Sequence, residues 1–271
     1  INILDFFERR IRRLIPVLIL VLLIATIFSI LVLEPTKLKQ FSESFFASIV
    51  FVANIYFNYF GNFYETNASL KTPLLHLWSL GIEEQFYILY PFFLLVTLKY
   101  FKKFLIFFIF LGFVISLSFA EYASTNHTMF NFYMLPSRAW EIGIGALVAL
   151  LTLSKKTQIN NNLNNLIIFL GFLILLLFLF LFSSGDKHPS LLTLIPVGTT
   201  SILIYIGEKD NKSILKNFFY NNYIIFFGKI SFSLYLWHFL IFSILRNSYI
   251  DENVYIKIIV IILSIILSFF S

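Results

Sequence analysis

Apolar runs dominate the chain, and eight of them approach the length that a helix needs to cross a bilayer. A helix rising 1.5 Å per residue needs about 20 apolar residues to cross the hydrocarbon region. The runs do not alternate apolar and polar residues at period two, so helices are favoured over a transmembrane barrel. The predicted spans are residues 14–33, 74–98, 104–120, 132–153, 165–183, 190–206, 223–245 and 255–271.

A ninth apolar segment, residues 42–60, is interrupted by polar side chains and decides the predicted topology. If it crosses the membrane, most Lys and Arg residues outside the spans lie opposite Arg9, contrary to the positive-inside rule. If it enters and returns, thirteen of them lie on the side of Arg9 and six on the other side. The sequence therefore predicts a re-entrant or surface-lying segment, with the Arg9 end of the first span in the cytoplasm.

Composition supports this class of protein. Of 271 residues, 59% are hydrophobic and 13% are charged, which leaves too little polar surface for a soluble domain. The sequence predicts one all-α polytopic membrane domain over residues 1–271. The net charge of +6 comes from Lys and Arg at span ends, which indicates topology and not nucleic-acid binding. The chain has no cysteine, and its four histidines lack metal-ligand spacing, so we expect no metal site.

Three predicted spans carry polar side chains along one helical face. A carboxylate at the centre of a membrane helix costs about 2.5–3.5 kcal/mol, so it is retained where it faces a cavity or a partner. Steps of three and four residues place such groups on common faces. Span by span, the groups are His76, Glu83 and Tyr87; Arg138 and Glu141; and Ser231, Tyr235 and His238. Together they predict a shared polar cavity.

Each of these groups also has a structural explanation. Arg138 and Glu141 stand at i and i+3, so they can form a buried ion pair without a catalytic role. His238 follows a tryptophan and can hold the depth of its helix at an interface. Glu84 lies one position away from the Glu83 face and is expected to point at a loop or a headgroup.

Four arginines precede the first span, at Arg9, Arg10, Arg12 and Arg13. By default such a cluster anchors the topology of the following helix. Guanidinium groups also suit the recognition of phosphates, because their planar donors match phosphate oxygens. The sequence leaves both explanations open.

Four motifs, in their order and spacing, resemble the acyltransferase-3 family of bacterial integral-membrane O-acyltransferases. They are FFERRIRRLIP at 6–16, PLLHLWSLGIEEQFYILYP at 73–91, PSRAWEIGIGAL at 136–147 and GKISFSLYLWHFLIF at 228–242. The resemblance implies a multi-pass enzyme of the bacterial inner membrane. It would move an acyl group, often acetyl from cytoplasmic acetyl-CoA, to hydroxyls of lipopolysaccharide O-antigen, exopolysaccharide or peptidoglycan. Acyl-CoA would be a co-substrate, with no permanently bound cofactor.

The resemblance also implies roles for individual residues. We expect Glu83 to lie near the outer side of its span, where it would orient the acceptor or pair with a catalytic histidine. His238 is a second possible base. The predicted catalytic residues are Glu83, His238, Arg138 and Glu141; the predicted donor-binding residues are Arg9, Arg10, Arg12 and Arg13; the predicted substrate contacts are His76, Trp78, Tyr87 and Tyr235.

Similar proteins begin with an additional helix that carries an arginine and, ten residues later, the histidine regarded as catalytic; a second helix follows. We therefore expect this chain to be a fragment, truncated at both ends. A transporter or flippase that uses the same buried groups as a proton or substrate relay is the competing hypothesis. Such a protein should show internal pseudo-repeats or broken helices in matching halves, which the sequence does not show.

Overall fold

The structure is a computed structural model, and it describes residues 3–60, 69–153, 161–183, 185–209, 221–248 and 253–271. Over these ranges the chain forms helices and turns and no strand, which confirms the all-α prediction. The helices are α1 Ile3–Val32, α2 Pro35–Ile49, α3 Ala53–Phe60, α4 Leu77–Tyr100, α5 Leu105–Asn126, α6 Thr128–Tyr133, α7 Leu135–Thr152, α8 Asn161–Leu181, α9 Leu194–Lys209, α10 Asn222–Asn247 and α11 Val254–Phe270. Single 3₁₀ turns lie at Ser69–Lys71 and Lys102–Phe104.

The helices match the apolar pattern. Within the described ranges, five are long and apolar enough to cross a membrane: Ile3–Val32, Lys102–Asn126, Thr128–Thr152, Asn162–Leu181 and Asn222–Asn247. Two shorter apolar helices follow the same pattern, at Leu194–Glu208 and Val254–Phe270. The remaining predicted span, 74–98, coincides with α4. The chain is therefore a multi-pass membrane protein, as predicted.

Large apolar side chains on the outer faces of these helices explain why they need a bilayer. On α8, Leu179 and Phe180 expose 77% and 81% of their surface. On α1, Leu31 exposes 75%. A helix that is hydrophobic all round is stable where lipid covers the face that protein leaves open.

The chain divides into two compact units, one of residues Ile1–Tyr87 and Phe226–Ser271 and the other of residues Ile88–Ile225. The first unit holds α1–α3, the beginning of α4, most of α10, and α11. The second holds the rest of α4 and the helices α5–α9. The single membrane domain over residues 1–271 stays a prediction.

In the first unit, the segment 42–60 is two helices joined by a turn and not one continuous helix. The turn between α2 and α3 contains Phe51, whose φ of 56° lies in the left-handed region. The side chain of Gln85 on α4 holds this turn: Nε2 donates to the Phe51 carbonyl oxygen at 3.0 Å and to Asn54 Oδ1 at 2.8 Å. The break agrees with a segment that enters and returns, although its depth in the membrane stays a prediction.

Gly81 permits this close approach of α4 to the turn. A Cβ atom at position 81 would lie 2.9 Å from Asn54 Oδ1 and 3.0 Å from the Phe51 carbonyl oxygen. Both distances are shorter than normal van der Waals contact. The glycine of the WSLG motif is therefore required by packing.

In the second unit, α5 and α7 pack around Trp140, which is fully buried beside Leu117 and Ala120. Ser116 on α5 joins the two helices, because its Oγ donates to the Pro136 carbonyl oxygen at 2.6 Å and accepts from the Trp140 backbone N–H at 3.1 Å. These contacts fix the first turn of α7. They thereby position Arg138, which lies in that turn.

Candidate active site

The first unit brings together residues from the motifs at 73–91 and 228–242. Tyr235 on α10 donates a hydrogen bond to the backbone carbonyl oxygen of His76. Because its one hydroxyl proton is used there, Tyr235 accepts from Ser79 Oγ, which lies 2.8 Å away. The ring of His76 lies between Tyr235 and Phe239, with centroid distances of 5.2 and 4.8 Å. The predicted residues His76 and Tyr235 are therefore neighbours.

His238 lies beside this cluster and has a defined tautomer. Its ring centroid is 6.3 Å from that of His76. Its Nδ1 lies 3.0 Å from the Leu234 carbonyl oxygen, and a carbonyl can only accept, so Nδ1 carries the proton of the neutral ring. The lone pair is then on Nε2. His238 can act as a proton acceptor through that atom.

A groove of about 440 Å³ between α10 and α11 reaches His238. One wall carries the polar side chains of Ser231, Tyr235 and His238, and the facing helix contributes Ile261 and Ile265. Most of the surface that these residues expose to the groove is carbon, so the groove is an apolar site with His238 in its lining.

Arg10 and Glu84 form an ion pair that joins α1 to α4. Arg10 Nη2 lies 2.5 Å from Glu84 Oε1. The guanidinium carbon also lies 3.6 Å from the centroid of the Tyr87 ring, a cation–π contact. Arg10 is thus held from two sides by residues of the chain itself.

This pair corrects the expectation for the two glutamates. Glu84 was expected to point at a loop or headgroup, and that was wrong: it is 8% exposed and paired. Glu83, expected to face the interior, is exposed. The reason is that α1 packs against the Glu84 side of α4. The apolar pattern of α4 alone does not determine which of two adjacent residues faces a neighbouring helix. The contact also places this part of α4 beside Arg10. The catalytic role and the outer position expected for Glu83 stay predictions.

The other arginines of the cluster are exposed. Arg9 and Arg13 project from the start of α1, and Arg12 pairs with Glu8 one turn earlier at 2.8 Å. The Arg12–Glu8 pair is largely solvent-exposed, so it contributes little to stability. The role of the cluster in binding a donor stays a prediction.

The second unit holds a separate cluster centred on Arg138. Its Nε donates to the Phe132 carbonyl oxygen at 2.7 Å, its Nη1 to Glu141 Oε2 at 3.1 Å, and its Nη2 lies 3.1 Å from His188 Nε2. The guanidinium carbon also lies 4.8 Å from the centroid of the Phe132 ring. The predicted pairing of Arg138 with Glu141 is present, and the arginine is buried.

His188 was not among the predicted residues. It lies between α8 and α9, outside the membrane-spanning segments. Two further hydrogen bonds hold this segment in place: Asn131 Nδ2 donates to the Pro189 carbonyl oxygen, and the Leu191 backbone N–H donates to the Glu121 carboxylate. Burial, and then the neighbouring Arg138 charge, lower the pKa of His188 from 6.5 to about 4. His188 is therefore neutral near pH 7.

The two clusters differ in what the sequence could indicate. Ser79 lies three residues after His76 on the predicted face, so the same periodicity would have found it. His188 lies 50 residues from Arg138, and no periodic pattern connects them. The substrate contacts predicted for Trp78, which is half-buried at the start of α4, and for Tyr87 stay predictions.

Comparison with known proteins identifies the family. The sequence model of the family described as "Acyltransferase domain" matches residues 1–271. The chain belongs to the acyltransferase domain family. This confirms the resemblance carried by the four motifs, and it favours acyl transfer over the transporter hypothesis.

Individual relatives are similar at modest identity. O-acetyltransferase OatA of Staphylococcus aureus strain NCTC 8325 is 27% identical over 290 residues, covering 99% of this chain and 46% of the relative. A putative O-acetyltransferase of S. aureus strain COL is 30% identical over 274 residues, covering 94% and 43%. An uncharacterized protein of Haemophilus influenzae is 26% identical over 216 residues, covering 76% and 88%.

The chain therefore spans less than half the length of the two O-acetyltransferases that it matches. No solved structure shows a significant match to it. The chain is therefore a multi-pass membrane member of the acyltransferase domain family. Membership of the family does not define which acyl donor or which acceptor the domain uses.

Proposed function

We propose that this domain transfers an acyl group, acetyl in the simplest case, from acyl-CoA to a hydroxyl of a cell-envelope carbohydrate. The proposal combines membership of the acyltransferase domain family with the names of two relatives, O-acetyltransferase OatA and a putative O-acetyltransferase. The single observation that supports it most is the state of His238. Its Nδ1 proton is used by the Leu234 carbonyl, so Nε2 is the ring nitrogen left to accept a proton, and the His238 side chain is part of the groove lining.

The reaction needs such a base. As the acceptor hydroxyl oxygen attacks the thioester carbonyl carbon, a C–O bond forms, the C–S bond breaks, and the hydroxyl proton must leave. In this proposal His238 Nε2 takes that proton and then gives it to the departing thiolate of coenzyme A. Tyr235 and Ser79 hold α10 against the start of α4 and so fix where His238 lies.

The arginine cluster gives the proposal a donor site. Coenzyme A carries several phosphate charges, and exposed guanidinium groups bind phosphates through parallel N–H donors. Arg9, Arg12 and Arg13 are exposed at the start of α1, whereas Arg10 is engaged by Glu84. We therefore assign donor binding to the three exposed arginines first. On the predicted topology they face the cytoplasm, where acyl-CoA is made.

Acyl transfer by the purified full-length protein that contains this chain, in lipid nanodiscs, tests the proposal. Radiolabelled acetyl-CoA is supplied with neutral oligosaccharides of glucose, galactose, rhamnose or N-acetylglucosamine, and ester-linked label on the sugar is measured. His238→Asn keeps a donor at the Nδ1 position and removes the base. It should lower the transfer rate at least about 100-fold, because general bases contribute about 10²–10⁴.

His127→Asn is the matched control, since His127 is exposed between α5 and α6 and lies outside both clusters. It should transfer at the wild-type rate. A His238→Asn protein with wild-type transfer would remove His238 from the mechanism. A wild-type chain that hydrolyses no thioester and labels no sugar in this assay would contradict the proposed function.

A further inference from the structure

The cluster around Arg138 contains polar atoms that the chain itself does not satisfy. Within the described residues, Glu141 Oε1, His188 Nδ1 and Asn131 Oδ1 are buried and make no hydrogen bond. Asn131 is 1% exposed. Each unsatisfied buried group costs about 1–3 kcal/mol, and folded proteins keep few of them. The three residues are linked through Arg138 and Pro189, so the missing partners of this one network must come from outside the chain.

The hydrogen-bonding character of each atom is fixed. Arginine only donates, so His188 Nε2 accepts from Arg138, and the proton of the neutral ring is on Nδ1. His188 Nδ1–H is therefore a donor that lacks an acceptor. Glu141 already uses Oε2 with Arg138, so Oε1 is an acceptor that lacks a donor. Asn131 donates through Nδ2 to Pro189, which leaves Oδ1 as a second acceptor.

These atoms define the chemistry of a ligand. A hydroxyl group both donates and accepts, so a pair of hydroxyls can satisfy one donor and two acceptors at once. The Arg138 and Glu141 charges are paired with each other, so the cluster favours neither an anion nor a cation. Phe182 is partly exposed, with its ring centroid 6.2 Å from that of His188, and offers an apolar surface to the C–H face of a sugar, whereas Phe132 is buried against Arg138. A neutral carbohydrate fits this combination.

We propose that the cluster of Asn131, Arg138, Glu141 and His188 is a binding site for neighbouring hydroxyls of a neutral sugar, and that His188 is its specificity-determining residue. The proposal rests on the proposed function, in which a carbohydrate is the acceptor. A site that hydrogen-bonds a hydroxyl discriminates strongly against a ligand that lacks it, because its own polar groups are then left unpaired. The site should therefore reject the corresponding deoxy sugar.

Two substitutions of His188 separate binding from a purely structural role. His188→Gln places an amide oxygen near the Nε2 position, where it can still accept from Arg138, but it removes the Nδ1–H donor. His188→Asn places an amide N–H near the Nδ1 position and loses the acceptor for Arg138. A binding role predicts that Asn preserves sugar affinity and Gln does not. A structural role predicts the reverse.

Equilibrium binding to the full chain in nanodiscs, without any acyl-CoA, is the first measurement. The probes are the four neutral oligosaccharides named above. At least one should bind the wild type, and His188→Gln should weaken that binding about tenfold, the equivalent of about 1.4 kcal/mol for one hydrogen bond. His188→Asn should stay within about threefold of the wild type. His127→Gln, which changes an exposed histidine outside the cluster, should have no effect.

Transfer kinetics with the bound sugar are the second measurement. His188→Gln should raise the KM for the sugar about tenfold while kcat and the KM for acetyl-CoA stay near wild type. Because binding is measured without a donor, the two proposals fail separately. Sugar binding without transfer would contradict the proposed function alone. Wild-type sugar affinity in His188→Gln, or binding of none of the probes, would overturn the site and leave ordered water as the partner of these atoms.

Discussion

Replacing Glu84 by glutamine measures what the ion pair between α1 and α4 contributes to stability. The substitution keeps the size of the side chain and removes its charge, so the Arg10 guanidinium is left partly buried without its counter-charge. The Arg10 side chain exposes 21% of its surface and the Glu84 side chain 11%. Removing one partner of a fully buried pair costs about 3–5 kcal/mol. Partial exposure of Arg10 lowers the expected cost to about 2–3 kcal/mol.

The chain offers a matched control in Glu8→Gln. Glu8 pairs with Arg12 at 2.8 Å, but these side chains expose 58% and 78% of their surface. An exposed pair one helical turn apart contributes about 0.3–0.5 kcal/mol. The two variants remove the same charge from the same kind of pair. The pairs differ in burial and in reach, because Glu8–Arg12 lies within one helix and Arg10–Glu84 joins two. The difference between the two free energies of unfolding therefore measures the contribution of a buried contact between helices.

Both variants are purified in detergent, and their free energies of unfolding are measured by titration with a denaturing detergent, followed by tryptophan fluorescence. Arg10→Ala should destabilise at least as much as Glu84→Gln, because it also removes the contact with Tyr87. Equal effects of Glu84→Gln and Glu8→Gln would refute the reasoning. A Glu84→Gln protein of normal stability that no longer transfers acyl groups would assign Glu84 to the reaction instead.

Three further predictions concern single contacts. Gly81→Ala should destabilise the chain by about 1–3 kcal/mol, because the new Cβ meets the Phe51 carbonyl oxygen. Gly143→Ala is the control and should be neutral or stabilising, because a Cβ there has nothing within 4 Å. Unfolding titrations compare the two variants. Tyr235→Phe should cost about 1–2 kcal/mol in the same assay, since two hydrogen bonds are lost. His188 has a folded-state pKa of about 4, below its unfolded value of 6.5, so its contribution is complete above pH 6.5 and is lost as pH falls towards 4. The wild type should lose about 1–2 kcal/mol more than His188→Gln over that interval, after allowance for the exposed part of the ring; equal losses would contradict the assignment.

Much of the fold follows from the sequence because apolar length alone determines where membrane helices form. Each of the eight predicted spans coincides with a helix. The interruption of the segment 42–60 was also indicated by its polar residues. The position of the turn was not, because Phe51 is neither glycine nor proline and its left-handed conformation is imposed by the contact with Gln85.

The site was less predictable because its contacts join distant parts of the chain. Helical periodicity placed Glu83 with His76 and Tyr87 and turned Glu84 away, but adjacent residues point about 100° apart, and it is Glu84 that is buried and paired. Only the position of α1 decides between them. In the same way, the partner of Arg138 at i+3 was foreseeable, whereas His188, 50 residues away, was not.

The separation between Arg10 and Glu84 has a consequence for how the protein is made. The two residues are 74 positions apart, so at about 5–20 residues per second Arg10 leaves the ribosome roughly 4–15 s before Glu84. During that interval no carboxylate of α4 exists to neutralise Arg10, and on the predicted topology its charge is available to orient α1 during insertion. Once α4 has been synthesised, Arg10 pairs with Glu84 and links the two helices. On that topology the same guanidinium is first an orientation signal and later a structural contact, so a substitution that removes it should disturb insertion before it disturbs the finished fold.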